Sequence, residues 1–250
     1  MTSPKLVAFI IGAGPHIGKS LTSRFREKGY SVAIGSRSPD NAPQEEGILP
    51  VAVDASKPES IQAAFTRVTT ELGPPNAVVY NAASLVFPPN KQDPLGLDLA
   101  AFQSTSALGL NVFAAAQQAV IGFRAINNSE APKAFIVTGN LLPFLSATPG
   151  YFSLGVQKSI EARLIEYFYN SYKQEGLRYV FTSRIMLSST RCSFHYATLV
   201  SSTGGIPPPE EFAQSGPAHA KVYDELIHSE PRSWDYRFTL DGEPATQVAA

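Results

Sequence analysis

The sequence predicts a doubly wound α/β protein, a mostly parallel sheet with helices on both faces, folded as one domain over residues 1–250. Three observations carry this. Short runs of consecutive apolar residues alternate along the chain with longer amphipathic stretches, the runs lack the in-and-out alternation of a half-exposed strand, and a glycine-rich turn joins the first run to the first amphipathic stretch. Runs apolar at every position suit strands covered on both faces. Parallel neighbours need crossovers, which are right-handed with few exceptions, so the repeated order strand, helix, strand resolves to an open sheet.

Leu6 to Ile11 is the first strand. From Gly18 to Lys28, Leu21 and Phe25 recur at helical spacing while Arg24, Arg26, Glu27 and Lys28 face outward, and Gly29 closes the helix. Tyr30 to Ile34, Leu49 to Val53, Ala77 to Tyr80, Ala134 to Val137 and Leu177 to Thr182 read as further buried strands, separated by helices near 58–72, 99–126 and 155–174. Residues 188–217 are rich in Ser, Gly and Pro, and a helix from Ala218 to His228 follows. A flexible substrate-side flap around 188–230 is expected there. Trp234 to Leu240 alternates as a last strand would, with Asp241-Gly242 turning after it. The aromatic run Tyr167, Phe168, Tyr169 and Tyr172 reads as helix packing rather than a ligand box.

Composition narrows the function classes. A formal net charge of −1 and a pI near 6.4 provide no broad basic field, so neither nucleic acid nor a membrane surface is an expected partner, and a small-molecule substrate is. The single cysteine, Cys192, cannot form an internal disulfide, and no Cys/His cluster has metal-ligand spacing. The apolar run at Leu6–Ile11 is too short for a signal peptide or a membrane span. The expectation is a cytoplasmic protein without a metal.

The strongest local signal is Gly12-Ala13-Gly14-Pro15-His16-Ile17-Gly18, lying between the first strand and the first helix. Glycines there let the backbone turn tightly and approach a pyrophosphate, whose charge meets free amides at the helix start. His16 stands where such loops often carry another glycine. If that position needs a positive φ, His is among the few side chains enriched there, and its imidazole would lie near phosphate oxygens. The end of the second strand selects the nucleotide. A site for an unphosphorylated ribose places a carboxylate there, whereas Gly35-Ser36-Arg37-Ser38 has no acid until Asp40. Arg37 can fork onto a 2′-phosphate while Ser36 and Ser38 donate, so NADP(H) is the expected cofactor.

With Val53-Asp54 after strand three, Tyr80-Asn81-Ala82-Ala83 after strand four, Asn111 in a long central helix and Lys158 near the start of the next, the chain resembles the short-chain dehydrogenase/reductase family over nearly its whole length. The resemblance implies a Rossmann-type domain in which Asp54 holds adenine, Asn81, Ala82 and Ala83 support the cofactor, Lys158 holds the nicotinamide ribose and Asn111 relays protons through water. It also implies a homodimer or homotetramer. The glycine opening, Tyr80 to Ala83, Val137-Thr138-Gly139-Asn140 and Leu154-Gly155-Val156-Gln157-Lys158 resemble more closely a divergent fungal branch of the family.

One departure bears on chemistry. Family members carry a Tyr four residues before the Lys to pass the proton; here that residue is Leu154, which can neither donate nor accept one. The family's serine slot falls near Asn140 or Leu141, with Thr138 beside it, and Asn140 can polarise a carbonyl through its amide hydrogens. Tyr151 lies two helical turns before Lys158, roughly 10 Å away, so direct pairing is not expected. Making Tyr151 the catalytic tyrosine would put Gly155 in the lysine slot. His195, Tyr196, Cys192 and Arg191 are expected just beyond strand six as substitute acids, and Arg184 and Arg191 as anchors for an acidic substrate. Three readings survive: an NADPH-dependent reductase of a carbonyl, imine or activated alkene, a non-redox cyclase or isomerase, and a catalytically silent NADP(H)-binding protein.

Overall fold

The computed structural model describes residues 6–39, 46–126, 131–172, 192–229 and 233–245. In chain order its elements are β1 (Val7–Ile11), α1 (Ile17–Glu27), β2 (Ser31–Ser36), β3 (Ile48–Ala52), α2 (Pro58–Glu71), β4 (Ala77–Tyr80), α3 (Leu99–Leu110), α4 (Val112–Ala125), β5 (Ala134–Thr138), α5 (Phe152–Tyr172), β6 (Ser193–Leu199), α6 (Pro209–Gln214), α7 (Gly216–His228) and β7 (Asp235–Phe238). The strands form one sheet in the order β3-β2-β1-β4-β5-β6-β7, every neighbouring pair parallel. Strand order reverses between β1 and β4, so a crevice opens at their carboxyl ends, where open α/β sheets take ligands.

Strand alternation divides the core into two layers. Val7, Phe9 and Ile11 of β1 point to the side covered by α2, α4 and α5, where Ile61, Phe65, Ala115, Phe123 and Ile165 meet them. Ala8 and Ile10 point to the opposite side, onto Leu21 and Phe25 of α1 and Val222, Tyr223 and Leu226 of α7. Asp224 of α7 fastens that second layer, with Arg24 Nη2 of α1 at 2.7 Å and its own side chain only 6% exposed. Leu99–Ala125 is long and apolar enough to cross a membrane, but the face it presents in α4, Val112, Ala115, Ala116, Ala119 and Phe123, lies in the core.

The structure differs from three expectations, and a fourth lies outside the described residues. The long helix 99–126 is two helices, with Asn111 at the junction in a helical conformation (φ −77°, ψ −3°). The expected strand Leu177–Thr182 lies outside the described residues, as do Arg184 and Arg191. The sheet's sixth described strand is Ser193–Leu199, so His195 and Tyr196 stand in a strand and not in a loop beyond one. Its polar Ser193, His195 and Thr198 hide it from a reading based on apolar runs. Its place between β5 and β7, with α5 and α7 packed on it, buries all seven residues regardless. In the stretch read as a flap, β6 and α7 are therefore core elements, and only the segment 201–214 with the short α6 lies between them.

Candidate functional site

The turn after β1 is shaped by close backbone approach. Gly12 has φ +88°, and a Cβ there would meet the Ala82 nitrogen at 2.7 Å, so both conformation and space require glycine. A Cβ on Gly18 would meet Ala13 Cα at 2.6 Å, where the helix start folds back on the turn. The amides of Gly12 and Ala13 both donate to the Gly35 carbonyl, at 2.9 and 3.0 Å. Asn81, at the end of β4, donates from Nδ2 to the Gly12 carbonyl at 2.8 Å. Glycine turn, β2 end and β4 end are thus locked into one rim.

A cavity of about 540 Å³ opens over that rim. The turn residues Gly12, Ala13 and Gly14 form one wall, Ser36, Arg37, Asp54 and Ser56 the far end, and Asn81 to Ser84 with Ser104 and Leu108 the near side. The Asp54 carboxylate accepts from the Ser56 hydroxyl at 2.7 Å and the Ser56 amide at 3.0 Å. The hydroxyl bond foremost holds its pKa below the ordinary carboxylate value. Arg37 is exposed and makes no ion pair among the described residues. This set of groups fits a nicotinamide dinucleotide: a glycine turn leading into the start of α1, hydroxyls and a guanidinium at the β2 end, and a carboxylate beyond them.

Beside the cavity lies a buried polar cluster on α5. Lys158 Nζ donates to the Thr138 carbonyl and to Glu161 Oε2, both at 2.8 Å, with the two side chains 5% and 0% exposed. Gln157 Nε2 donates to Glu161 Oε1 at 2.6 Å and to the Ala82 carbonyl at 3.2 Å, while Gln157 Oε1 accepts from the Ser84 amide at 3.2 Å. Burial raises the Glu161 carboxyl and the Lys158 charge opposes it. Ser153 adds a second tie, its hydroxyl donating to the Val86 carbonyl at 2.8 Å. The segment after β4 is therefore clasped to α5 across about one helical turn, at Ser153 and Gln157.

At the end of β5, Asn140 Oδ1 accepts from the Leu142 amide at 3.0 Å, which leaves its Nδ2 as the donating end. The Asn140 backbone is held by Tyr196, whose hydroxyl accepts from its amide at 3.1 Å and donates to its carbonyl at 3.3 Å. The Tyr223 hydroxyl donates to Thr138 Oγ1 at 3.0 Å. Burial raises both phenols far above their ordinary range.

The structure brings Gly12, Gly14, Ser36, Arg37, Asp54, Asn81, Ala82 and Ala83 to one cavity. Thr138, Asn140 and Lys158 form the adjoining cluster. Gly18 and Ile17 lie buried under the turn. His16 has φ −94°, so no left-handed geometry selects it, and its ring packs edge-on against Phe212 of α6 at 5.4 Å between centroids. Asn111 donates from Nδ2 to the Ala55 carbonyl at 3.0 Å, tying the α3/α4 junction to the loop after β3. His195 is fully buried with Nδ1 at 3.0 Å from the Ser233 carbonyl. Tyr151 is half exposed and stacks edge-on with Phe87. Gln157, Glu161 and Tyr223 are the participants that sequence reasoning missed; Tyr196, expected as a substitute acid, instead holds the Asn140 backbone. Gln157, Lys158 and Glu161 at i, i+1 and i+4, on the helix face that also carries Ala162 and Ile165, were a readable signal for Gln157 and Glu161.

Comparison with known proteins agrees with this arrangement. A family model described as short chain dehydrogenase matches residues 6–138. A relative named short chain dehydrogenase/reductase dmxR12, from Cryptosporiopsis, is 29% identical over 238 residues, covering 90% of this chain and 87% of the relative. A metagenomic short-chain oxidoreductase solved with NADP superposes with a TM-score of 0.72 at 16% identity, over 94% of this chain and 96% of its own. A 3-ketoacyl-(acyl-carrier-protein) reductase from Brucella melitensis, solved with NADH, gives 0.69 at 16% identity, over 95% and 97%.

Proposed function

The chain belongs to the short-chain dehydrogenase/reductase family, and we propose that within it the protein is an NADPH-dependent reductase of a small-molecule carbonyl, imine or activated alkene, with an atypical active site. The observation that carries the reading is the cavity over the glycine turn, whose far end sets Ser36 beside Arg37, exposed and without an ion pair among the described residues. A neighbour at 0.72 was solved with NADP and another at 0.69 with NADH, so the preference for the phosphorylated form rests on Ser36 and Arg37.

Bound there, the nicotinamide would supply a hydride. The protein's own part is to bind and orient. The glycine turn would let the backbone at the start of α1 approach the pyrophosphate, Arg37 and Ser36 would hold the 2′-phosphate, and Asp54 the adenine end. Lys158 spends two N–H groups on Thr138 and Glu161 and keeps one for the ribose side of the site. Asn140 offers Nδ2 to the substrate's electronegative atom, because Oδ1 is committed to Leu142. Leu154 supplies no proton, so the proton comes from water or from the substrate, which favours electrophilic acceptors. Asn111 is a positioning residue between α3/α4 and the β3 loop in this scheme.

The test is a panel of carbonyl, imine and enone substrates with NADPH consumption followed by absorbance and products by mass spectrometry. Reduced products formed with matching consumption support the reading. Leu154 also favours a second reading, a non-redox cyclase or isomerase, which product formation without consumption would select; NADPH binding with no turnover across the panel would point to a silent binding protein. The reading includes a homodimer or homotetramer. Leu99, Leu110, Phe113 and Ile121 of α3 and α4 and Tyr167 of α5 are exposed apolar side chains on the helices the family pairs. Light scattering after size exclusion measures the state, and a monomer removes that part.

A further inference from the structure

The Lys158–Glu161 pair has no counterpart in the chemistry proposed so far. A carboxylate with 0% exposure is costly to place in a core, and one beside the cofactor cavity, bonded on both oxygens, is a built feature of the site. Oε2 takes the Lys158 ammonium and Oε1 takes Gln157, whose amide reaches the backbone of Ala82 and Ser84 in the cavity wall. One end of the carboxylate therefore leads to the cavity wall, and the other to the lysine assigned above to the nicotinamide ribose. We propose that Glu161 is a positioning residue that holds Lys158 charged and in place for the nicotinamide ribose and stiffens the Ala82–Ser84 wall through Gln157. The proposal rests on the cofactor reading given above.

A neutralised lysine also accounts for the company Leu154 keeps. An uncompensated ammonium earns its place beside a phenol by favouring the phenolate. Here the positive charge is matched by Glu161, so the pair serves binding by hydrogen bonds and needs no tyrosine one turn earlier. The other groups facing Glu161 do not compete for this role. Tyr80 of β4 and Tyr196 of β6 lie close enough to feel its charge, but burial holds both phenols protonated, and Tyr80 donates to the Leu108 carbonyl at 2.7 Å. Helix α3 carries no titratable side chain, and the Arg124 guanidinium of α4 lies over Tyr172, 6.0 Å from the ring centroid.

The experiment is a double-mutant cycle on NADPH affinity, by fluorescence titration of the full chain from about pH 6 to about pH 9, with wild type, E161Q, K158M and the double variant. E161Q keeps the shape and removes the charge. A buried ammonium without its partner gives up its proton more readily as pH rises. The expected result is a wild-type affinity nearly flat in pH and an E161Q affinity that falls about ten-fold toward the alkaline end, with no further effect of E161Q in the K158M background. An equal, pH-independent loss from E161Q in both backgrounds overturns the proposal and makes Glu161 a structural residue only. Failure of the wild type to bind NADPH overturns the cofactor reading instead. Should E161Q not fold, K158M alone decides. It leaves a buried, unpaired carboxyl, so its melting temperature relative to wild type must drop as pH rises through the carboxylate range; a difference constant in pH overturns the pairing.

Discussion

Asn81 joins the end of β4 to the glycine turn by two bonds, its side-chain amide donating to the Gly12 carbonyl and its backbone amide to the Ile11 carbonyl, each at 2.8 Å. The contact is made possible by the missing Cβ at Gly12, which would otherwise strike Ala82. Asn81→Ala removes the side-chain bond and leaves the turn without that brace. The expected cost is about 1 kcal/mol of stability, seen as a melting temperature lower by about 2–4 °C. NADPH affinity should fall about ten-fold, because a loosened turn must be ordered on binding. A variant that melts lower but binds as wild type would separate the brace from the site.

Arg37 is exposed at the β2 end of the cavity and supports no neighbour among the described residues. Arg37→Ala should therefore leave stability within about 0.5 kcal/mol of wild type. Its effect should fall on one nucleotide. NADPH binding is expected to weaken by about ten-fold or more while NADH binding stays unchanged, since only the former presents a 2′-phosphate to the guanidinium. Parallel titrations check this. Equal affinity of the wild type for both nucleotides would remove the preference for NADP(H).

Tyr196 reaches from β6 to the backbone of Asn140, accepting from its amide and donating to its carbonyl. In Tyr196→Phe both backbone groups lose a partner in a half-buried place, costing about 1–3 kcal/mol. Asn140 would also lose its fixed bearing, so turnover of a reducible substrate should fall while the KM for NADPH holds. Steady-state kinetics with the nucleotide varied distinguishes this from a general loss of folding, which would lower active protein without splitting kcat from KM.

Much of this arrangement was legible in the residues because it depends on local constraints. β1, α1 and the turn between them follow from an apolar run, a helical repeat and glycines whose spacing has one steric purpose, and the cavity gathers Gly12, Ser36, Arg37, Asp54 and Asn81 as read. What escaped was set by tertiary contact. β6 carries His, Ser and Thr at positions that only its neighbours β5 and β7 bury, so its own composition reads as a loop. The α3/α4 junction at Asn111 is tied to Ala55, 56 residues earlier. Tyr223, and the hold of Tyr196 on the Asn140 backbone, depend on contacts across the sheet with partners no short window contains. The Gln157–Glu161 pair lay within one helical turn and was visible as two polar residues on a core face, but only burial shows that they point inward.

His195 in β6 and His219 in α7 make the fold itself sensitive to acid. Each is buried, with Nδ1 on a backbone carbonyl, Ser233 at 3.0 Å and Ser215 at 2.8 Å, a geometry that suits the neutral ring. Burial pushes both pKa values down from 6.5 to about 4. The unfolded chain therefore binds more protons than the folded one between those values. Stability supplied by the neutral rings is fully present above about pH 6.5 and is lost as pH falls toward 4, on the order of 3 kcal/mol for each ring. Glu161 and Asp235 act with the opposite sign, since burial raises both carboxyls and their protonated forms favour the folded state as pH falls. The raw profile is thus a sum, and the histidine part is read by difference. Urea midpoints of wild type, His195→Gln and His219→Gln should be compared at about pH 7, 5.5 and 4.5. Each variant, though less stable than wild type at neutral pH, should lose less on acidification; parallel profiles would mean that the rings protonate without unfolding the core.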